Sequence, residues 1–268
     1  MVREKGVTIG GRRTRYLEAG SGWPVVLIHA FPLNADMWRP QLERVPDGSR
    51  YIAPDLRGFG PDGEDPAGSV TMEALAGDVV ALLDALEIEQ AAIGGLSMGG
   101  YVALALFRAA AERCGALILA DTRPQADTED GRDGRRKMLA LVRDGGSSAV
   151  VEEMLPKLLG ETSRAGRPEL QAEVRRIAVM NSRAAIAGAI EAMMTRADST
   201  DLLPQVSRPA LVIVGEEDVI TPPADAEAMQ RLLPRSRLVT LAGAGHLSNL
   251  EVPDAFASAL ADFSTSNM

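Results

Sequence analysis

The tightest constraint on this chain lies at residues 91–100, where Ala-Ala-Ile-Gly-Gly-Leu runs directly into Ser97-Met98-Gly99-Gly100. The stretch 91–96 has no polar side chain, which predicts a strand covered on both faces. The apolar stretch 101–111 that follows predicts a helix. Joining the two through Gly95-x-Ser97-x-Gly99 requires a sharp strand-to-helix corner. Small residues are needed on either side because strand and helix pass closely. Such a corner lifts the Ser97 hydroxyl clear of the sheet. With 26 Gly in 268 residues, a motif of this spacing arises by chance on the order of 0.1 times per chain, so its meaning depends on context.

The rest of the chain supplies that context. Short strands are predicted at 7–9 and 14–18 around a Gly10-Gly11 turn, then at 24–29, 51–54, 116–120, 210–214 and 237–241. Helices are predicted at 71–86, 223–233 and 253–263. In the first of these Thr71 is placed to cap, and Leu75, Val79, Leu82, Leu83 and Leu86 recur at helical spacing. Strands alternating with helices predict an α/β fold with a doubly wound, mostly parallel, eight-stranded sheet. Between Asp121 and Pro209 strand character disappears. Helical patterns fall at 135–143, 148–159, 167–180 and 184–195, with breaks at Gly145-Gly146 and 160–166. This stretch is too long for a connecting loop. It is therefore expected to be a packed helical subdomain, 123–205, inserted after the sixth strand of a core made of 1–122 and 206–268. There is no internal repeat and no low-complexity segment.

Composition narrows the partners. Aromatic residues are only 4% of the chain, so the core must be built from Ala, Val, Leu, Ile and Met. A net charge of -9 disfavours nucleic acid and anionic membrane surfaces, which attract basic patches. No run approaches the ~18 apolar residues of a membrane span, and residues 1–6 have no signal-type apolar core. The expectation is a cytoplasmic protein with no membrane partner; oligomeric state has no readable signal. The single cysteine, Cys114, excludes an intramolecular disulfide and Cys-based zinc sites, and reads as a small packing residue. The cluster Arg132, Arg135, Arg136 and Lys137 reads as a solvated helix face.

A serine hydroxyl is a poor nucleophile at neutral pH and needs an adjacent base. Histidine is the usual one, and this chain has only His29 and His246. His246 follows the last predicted strand, in Ala-Gly-Ala-Gly-His, and so shares with Ser97 the crevice outside the carboxyl ends of the strands. A third group must orient the imidazole. Asp218, in Gly215-Glu216-Glu217-Asp218 after strand 210–214, is the favoured acid. Its rivals are Glu216, Glu217 and Asp121, which ends an earlier strand. An oxyanion site needs two backbone N–H donors. Met98, next after the serine, is expected to supply one, and Phe31, in the loop 28–33, the other. His29 is then expected to order that loop and not to do chemistry.

Together, His29-Ala-Phe-Pro, Asp55-Leu-Arg-Gly-Phe-Gly, Gly95-Leu-Ser-Met-Gly-Gly, Gly215-Glu-Glu-Asp and Gly245-His246 resemble the α/β-hydrolase superfamily. They follow its order from about residue 7 to 264. The resemblance is to small carboxylesterases and 3-oxoadipate enol-lactonase-like hydrolases. It implies that the acid follows the strand where Asp218 sits, that the helical insertion is a cap over the site, and that no metal or organic cofactor is used. Ala30 stands where the family usually has Gly. Serine at position 97, in place of Asp, sets the chain apart from haloalkane dehalogenases and epoxide hydrolases. The loop 55–60 with Arg57 reads as a brace for the sheet, and Trp38 as a packing anchor beneath the cap. Met138, Leu139, Met154, Met193 and Met194 are candidates for an acyl pocket or for core packing. The implied activity is hydrolysis of a small-molecule carboxylic ester or lactone. Carbon–carbon hydrolysis, perhydrolysis or amide hydrolysis on the same residues, and non-catalytic ligand binding on the same fold, remain as alternatives that substrate profiling separates.

Overall fold

In the computed structural model, which describes residues 1–63 and 69–267, the strands are β1 (Arg3–Ile9), β2 (Arg12–Gly20), β3 (Trp23–Ile28), β4 (Ser49–Pro54), β5 (Ala91–Leu96), β6 (Cys114–Ala120), β7 (Ala210–Gly215) and β8 (Ser236–Leu241). They form one sheet in the order β1-β2-β4-β3-β5-β6-β7-β8. β1 pairs with β2 and β2 with β4 antiparallel; every other pairing is parallel. The expected fold class is the one observed. β5 and β7 are buried at every residue, as their apolar runs require in a sheet covered on both faces.

Among the described residues the helices that accompany the sheet are α1 (Arg39–Leu42), α2 (Met72–Ala85), α3 (Met98–Ala109), α4 (Glu129–Leu158), α5 (Glu161–Gly166), α6 (Pro168–Val179), α7 (Arg183–Thr195), α8 (Pro223–Leu232), α9 (Ser248–Glu251) and α10 (Pro253–Asn267). Thr71 caps α2 by accepting the Ala74 N–H at 3.1 Å. Cys114 is fully buried, and burial pushes its thiol up to about 12, so it packs and does not react. Trp38 is also buried, and its ring tilts against Phe256 of α10 at 5.7 Å. It belongs to a buried cluster that also contains Val174 and Ile177 of the insertion.

Two expectations need correcting. α3 begins at Met98, three residues before the predicted start, because the glycines there serve close approach and do not delay the helix. The break at Gly145-Gly146 is as expected: α4 consists of two helical segments, the first starting at Glu129, that meet at a kink where Gly146 adopts the non-helical φ 66 and ψ -158. Glycine tolerates this positive φ, and the chain changes direction between the two segments. Residues 160–166 were expected as a break, yet they contain α5. Its first-turn Thr162 N–H is accepted by the Glu217 carboxylate at 2.9 Å, a tertiary partner that satisfies an otherwise unpaired helix-end donor.

The parallel strands run their carboxyl ends to one edge. That edge carries His29 after β3, Ser97 after β5, Asp121 after β6, Asp218 after β7 and His246 after β8. α4 to α7 lie between β6 and β7 in the chain, so the insertion departs from that edge, and the chain then crosses to the opposite edge, where β7 begins parallel to β6.

Candidate active site

Ser97 adopts φ 54 and ψ -112, a left-handed conformation that costs a non-glycine residue on the order of 1–3 kcal/mol. The surroundings hold it there. Its N–H donates to the Ala120 carbonyl at 2.9 Å, and its own carbonyl accepts the Thr122 hydroxyl at 2.8 Å. The flanking glycines leave no room for side chains. A Cβ on Gly95 would lie 2.1 Å from Gly99, and one on Gly99 would lie 2.2 Å from the Ile28 carbonyl oxygen. The corner therefore presses β5, α3 and the end of β3 together.

The structure brings Ser97, His246 and Asp218 into one chain of contacts. The Ser97 Oγ lies 2.8 Å from His246 Nε2, and His246 Nδ1 lies 2.8 Å from Asp218 Oδ2. All three residues are buried. A carboxylate offers only lone pairs, so Nδ1 carries the proton and Nε2 is left to accept the Ser97 hydroxyl. Asp218 is itself held: Oδ1 accepts the N–H groups of Ile220 at 2.8 Å and Thr221 at 3.1 Å, and Oδ2 accepts the Thr221 hydroxyl at 2.7 Å. Burial opposes its ionisation, but the His246 imidazole and these Thr221 donors outweigh it and hold the carboxyl below its ordinary range.

The rival acids sit elsewhere. Asp121 is buried against the same site, where it accepts the Gly215 N–H at 2.8 Å and the Ser248 hydroxyl. Burial, and then the charge of Asp218, push its carboxyl well above the ordinary range. It braces the ends of β7 and α9 and does not meet the imidazole. Glu217 caps α5 through Thr162, and Glu216 accepts the Gly243 N–H at 3.3 Å.

Met98 and Phe31 are both fully or nearly fully buried. Among the described residues, no acceptor engages either backbone N–H; for Met98 this follows from its place in the first turn of α3. The Phe31 loop is fixed from two sides. His29 Nε2 accepts the Leu56 N–H at 3.1 Å, and His29 Nδ1 contacts the Ala30 carbonyl at 3.1 Å. From the insertion, Asn181 donates to the Pro32 carbonyl at 2.7 Å and accepts the Gly60 N–H at 2.8 Å. Asn181 and Thr221 were not singled out from sequence, where nothing separates them from other loop Asn and Thr residues.

The brace at 55–60 is as expected: Asp55 pairs with the buried Arg15 at 2.9 Å, and Arg57 with Asp78 at 2.6 Å. Arg132 and Arg136 form exposed ion pairs with Glu129 and Asp133, as on a solvated face, whereas Arg135 pairs with the buried Asp127 at 3.1 Å and turns toward a cleft. This cleft, of about 620 Å³, is lined by Arg123, Lys137, Met138, Leu141, Met154 and Ile220 among others; of these, Ile220 touches the site, through its N–H on Asp218 Oδ1 at 2.8 Å. Met138 and Met154 thus line the cleft, whereas Met193 is buried in the core and Leu139 and Met194 are not among its walls. Among the described residues no three His, Cys, Asp or Glu side chains group as metal ligands, and no helix is long and apolar enough to cross a membrane.

Residues 24–253 match the family model described as the alpha/beta hydrolase fold. The chain is 30% identical over 232 residues to 3-oxoadipate enol-lactonase 2 of Acinetobacter baylyi, covering 87% of this chain and 85% of that one. Among solved structures it resembles a thermophilic esterase from Thermogutta terrifontis, with TM-score 0.93, 38% identity and 98% coverage of both chains. It also resembles the enol-lactonase from Burkholderia xenovorans LB400, with TM-score 0.89, 30% identity, and coverage of 97% of this chain and 100% of that one.

Proposed function

Because the chain belongs to the alpha/beta hydrolase family, we propose that it hydrolyses carboxylic esters or lactones through an acyl-enzyme on Ser97. The observation that carries this reading is the unbroken relay from the Ser97 Oγ through His246 to Asp218, with both links at 2.8 Å. The enol-lactonase and esterase relatives support the substrate class.

In the proposed reaction Ser97 Oγ adds to the carbonyl carbon while its proton passes to His246 Nε2. Asp218 holds the ring in the tautomer that can accept that proton and stabilises the imidazolium that results. The free N–H groups of Met98 and Phe31 donate to the developing oxyanion. Collapse of the tetrahedral adduct breaks the bond to the alcohol oxygen, which takes the proton from Nε2. Water then attacks the acyl-enzyme, giving its proton to Nε2; that proton returns to Ser97 Oγ as the acid leaves. Residues 123–205 act as the cap, and its cleft beside Met138 and Met154 receives the acyl group.

The test combines fluorophosphonate labelling with a panel of aryl esters, aliphatic esters and lactones of graded chain length. Labelling at Ser97 with turnover of esters or lactones is expected. Labelling without turnover on any ester or lactone would move the reading to another acyl reaction on the same residues. No labelling at all would overturn it.

A further inference from the structure

The base stands on a loop that cannot hold itself. His246 is preceded by Ala242-Gly243-Ala244-Gly245, and Gly243 lies at φ 66. None of these residues has a side chain long enough to anchor the backbone, and glycine leaves it free to move. The anchor comes from outside the loop. Glu251, the last residue of α9, turns its carboxylate back toward the histidine. Oε1 accepts the N–H groups of Gly245 at 2.9 Å and Leu247 at 3.2 Å, the two residues that flank His246.

The other oxygen faces the insertion. Oε2 accepts the Gly160 N–H at 2.8 Å, where α4 gives way to α5, and the Ser163 hydroxyl also bonds to the carboxylate. Gly160 and Gly245 meet backbone to backbone: a Cβ on Gly245 would lie 2.2 Å from the Gly160 nitrogen. The seam is further closed by the Leu247 N–H on the Leu158 carbonyl at 3.0 Å. Arg167 of the insertion donates to the Glu251 backbone carbonyl at 2.7 Å. Glu251 is 5% exposed and, among the described residues, no cation pairs with its carboxylate. Burying a carboxylate without a cation is costly unless donors replace the lost water; here four donors from two different segments lower that cost, while burial still holds the carboxyl above its ordinary range. A merely solubilising or surface role does not account for that arrangement.

We propose that Glu251 is a positioning residue for the reaction described above, tying the loop that carries His246 to the foot of the cap so that base and cap are set as one unit. The inference rests on that proposed reaction, in which Nε2 must reach both the Ser97 Oγ and the leaving oxygen in turn. Displacement of a catalytic group by about 1 Å costs on the order of 100-fold in rate.

The chain's two histidines make the test direct, because imidazole nitrogen and proton resonances come from His246 and His29 alone. Glu251→Ala and Glu251→Gln are compared with wild type, with active sites titrated by a fluorophosphonate so that only competent molecules are counted. Glu251→Ala is expected to lower kcat by about 30-fold or more with KM within about 3-fold. It is also expected to shift or broaden the His246 resonances and leave those of His29 in place. A glutamine has one acceptor oxygen and an NH2 group that cannot accept, so it serves the loop or the cap but not both. Its kcat is expected between the other two, about 3- to 10-fold below wild type. If Glu251→Ala does not fold, Glu251→Gln carries the test alone. Wild-type kcat per titrated site with unmoved His246 resonances, in whichever variant folds, overturns the proposal. Absence of labelling in the wild-type enzyme would instead overturn the serine hydrolase reading.

Discussion

His246 Nε2 lies 2.8 Å from Ser97 Oγ, although 149 positions separate the two residues in sequence. The contact exists because β5 and β8 end at the same edge of the sheet and because the elbow projects the serine above it. In the proposed reaction each partner is useless without the other. Ser97→Ala and His246→Ala should therefore each lower kcat by roughly 1,000-fold or more, and the double variant should be little worse than either single one. Additive losses, measured as kcat on an aryl ester, would contradict a shared step.

Asp218 and Asp121 provide a contrast within a single pocket. Asp218 meets the imidazole at 2.8 Å; Asp121 is occupied by Gly215 and Ser248, and burial, then Asp218's charge, push its carboxyl well above the ordinary range. Asparagine matches the shape of a neutral aspartate but cannot hold an imidazole in the required tautomer. Asp218→Asn is expected to reduce kcat by ~1,000- to 10,000-fold. Asp121→Asn should cost no more than about tenfold, because a hydrogen-bonding partner of the same shape remains. The reverse ranking would exchange their roles.

The glycines of the elbow can be separated from an ordinary helical glycine. A Cβ at Gly99 would lie 2.2 Å from the Ile28 carbonyl oxygen, whereas one at Gly77 of α2 meets nothing within 4 Å. Gly99→Ala is expected to destabilise by more than ~3 kcal/mol or to prevent folding. Gly77→Ala should stabilise by about 0.5–1 kcal/mol, because it restricts the unfolded chain in a helix-compatible position. Urea unfolding midpoints decide both.

Asn181 reaches the oxyanion loop from the insertion, with its amide on the Pro32 carbonyl at 2.7 Å. If the Phe31 N–H serves the transition state, loosening the loop should act on kcat more than on KM. Asn181→Ala is expected to lower kcat by about 10- to 100-fold with KM nearly unchanged. An equal effect on both constants would assign Asn181 to substrate binding.

What could be read from sequence and what could not divide along a physical line. The sheet was legible because residues such as 91–96 and 210–214 are apolar without interruption, and that pattern belongs to buried parallel strands. Ser97 and His246 were legible because a small-residue corner is local and histidine is scarce. Asn181 and Glu251 were not, because each acts on a segment that only tertiary packing brings near; Thr221 lies three positions from the Asp218 it holds, but nothing in the sequence sets it apart from other loop threonines. Asn181 lies 121 positions from the Gly60 N–H it accepts, and Glu251 lies 91 positions from that of Gly160. The kink at Gly145-Gly146 was legible because two adjacent glycines interrupt the helical pattern locally, whereas α5 was not, because its first-turn Thr162 N–H is held by Glu217, 55 positions away.

His29 gives the fold a defined response to acid. It is completely buried, its Nε2 accepts the Leu56 N–H, and protonation would turn that acceptor into a second donor facing a donor. Burial pushes its pKa down to about 4 from an ordinary 6.5, with the Ala30 carbonyl acting weakly the other way. The unfolded chain therefore takes up this proton first. The stability contributed by neutral His29 is complete above pH 6.5 and is lost as pH falls toward 4. Asp55 acts in the opposite sense. Burial, opposed by Arg15, pushes its carboxyl up to about 6, so its contribution is present at low pH and is lost as pH rises through that value. The two partly offset in the wild-type curve, and a variant is needed to separate them. Relative to His29→Gln, which cannot titrate, wild-type stability should fall by about 2 to 3 kcal/mol between pH 7 and pH 4.5. Urea unfolding at the two pH values measures this, and parallel pH dependence in the two proteins would show that His29 is not the group responsible.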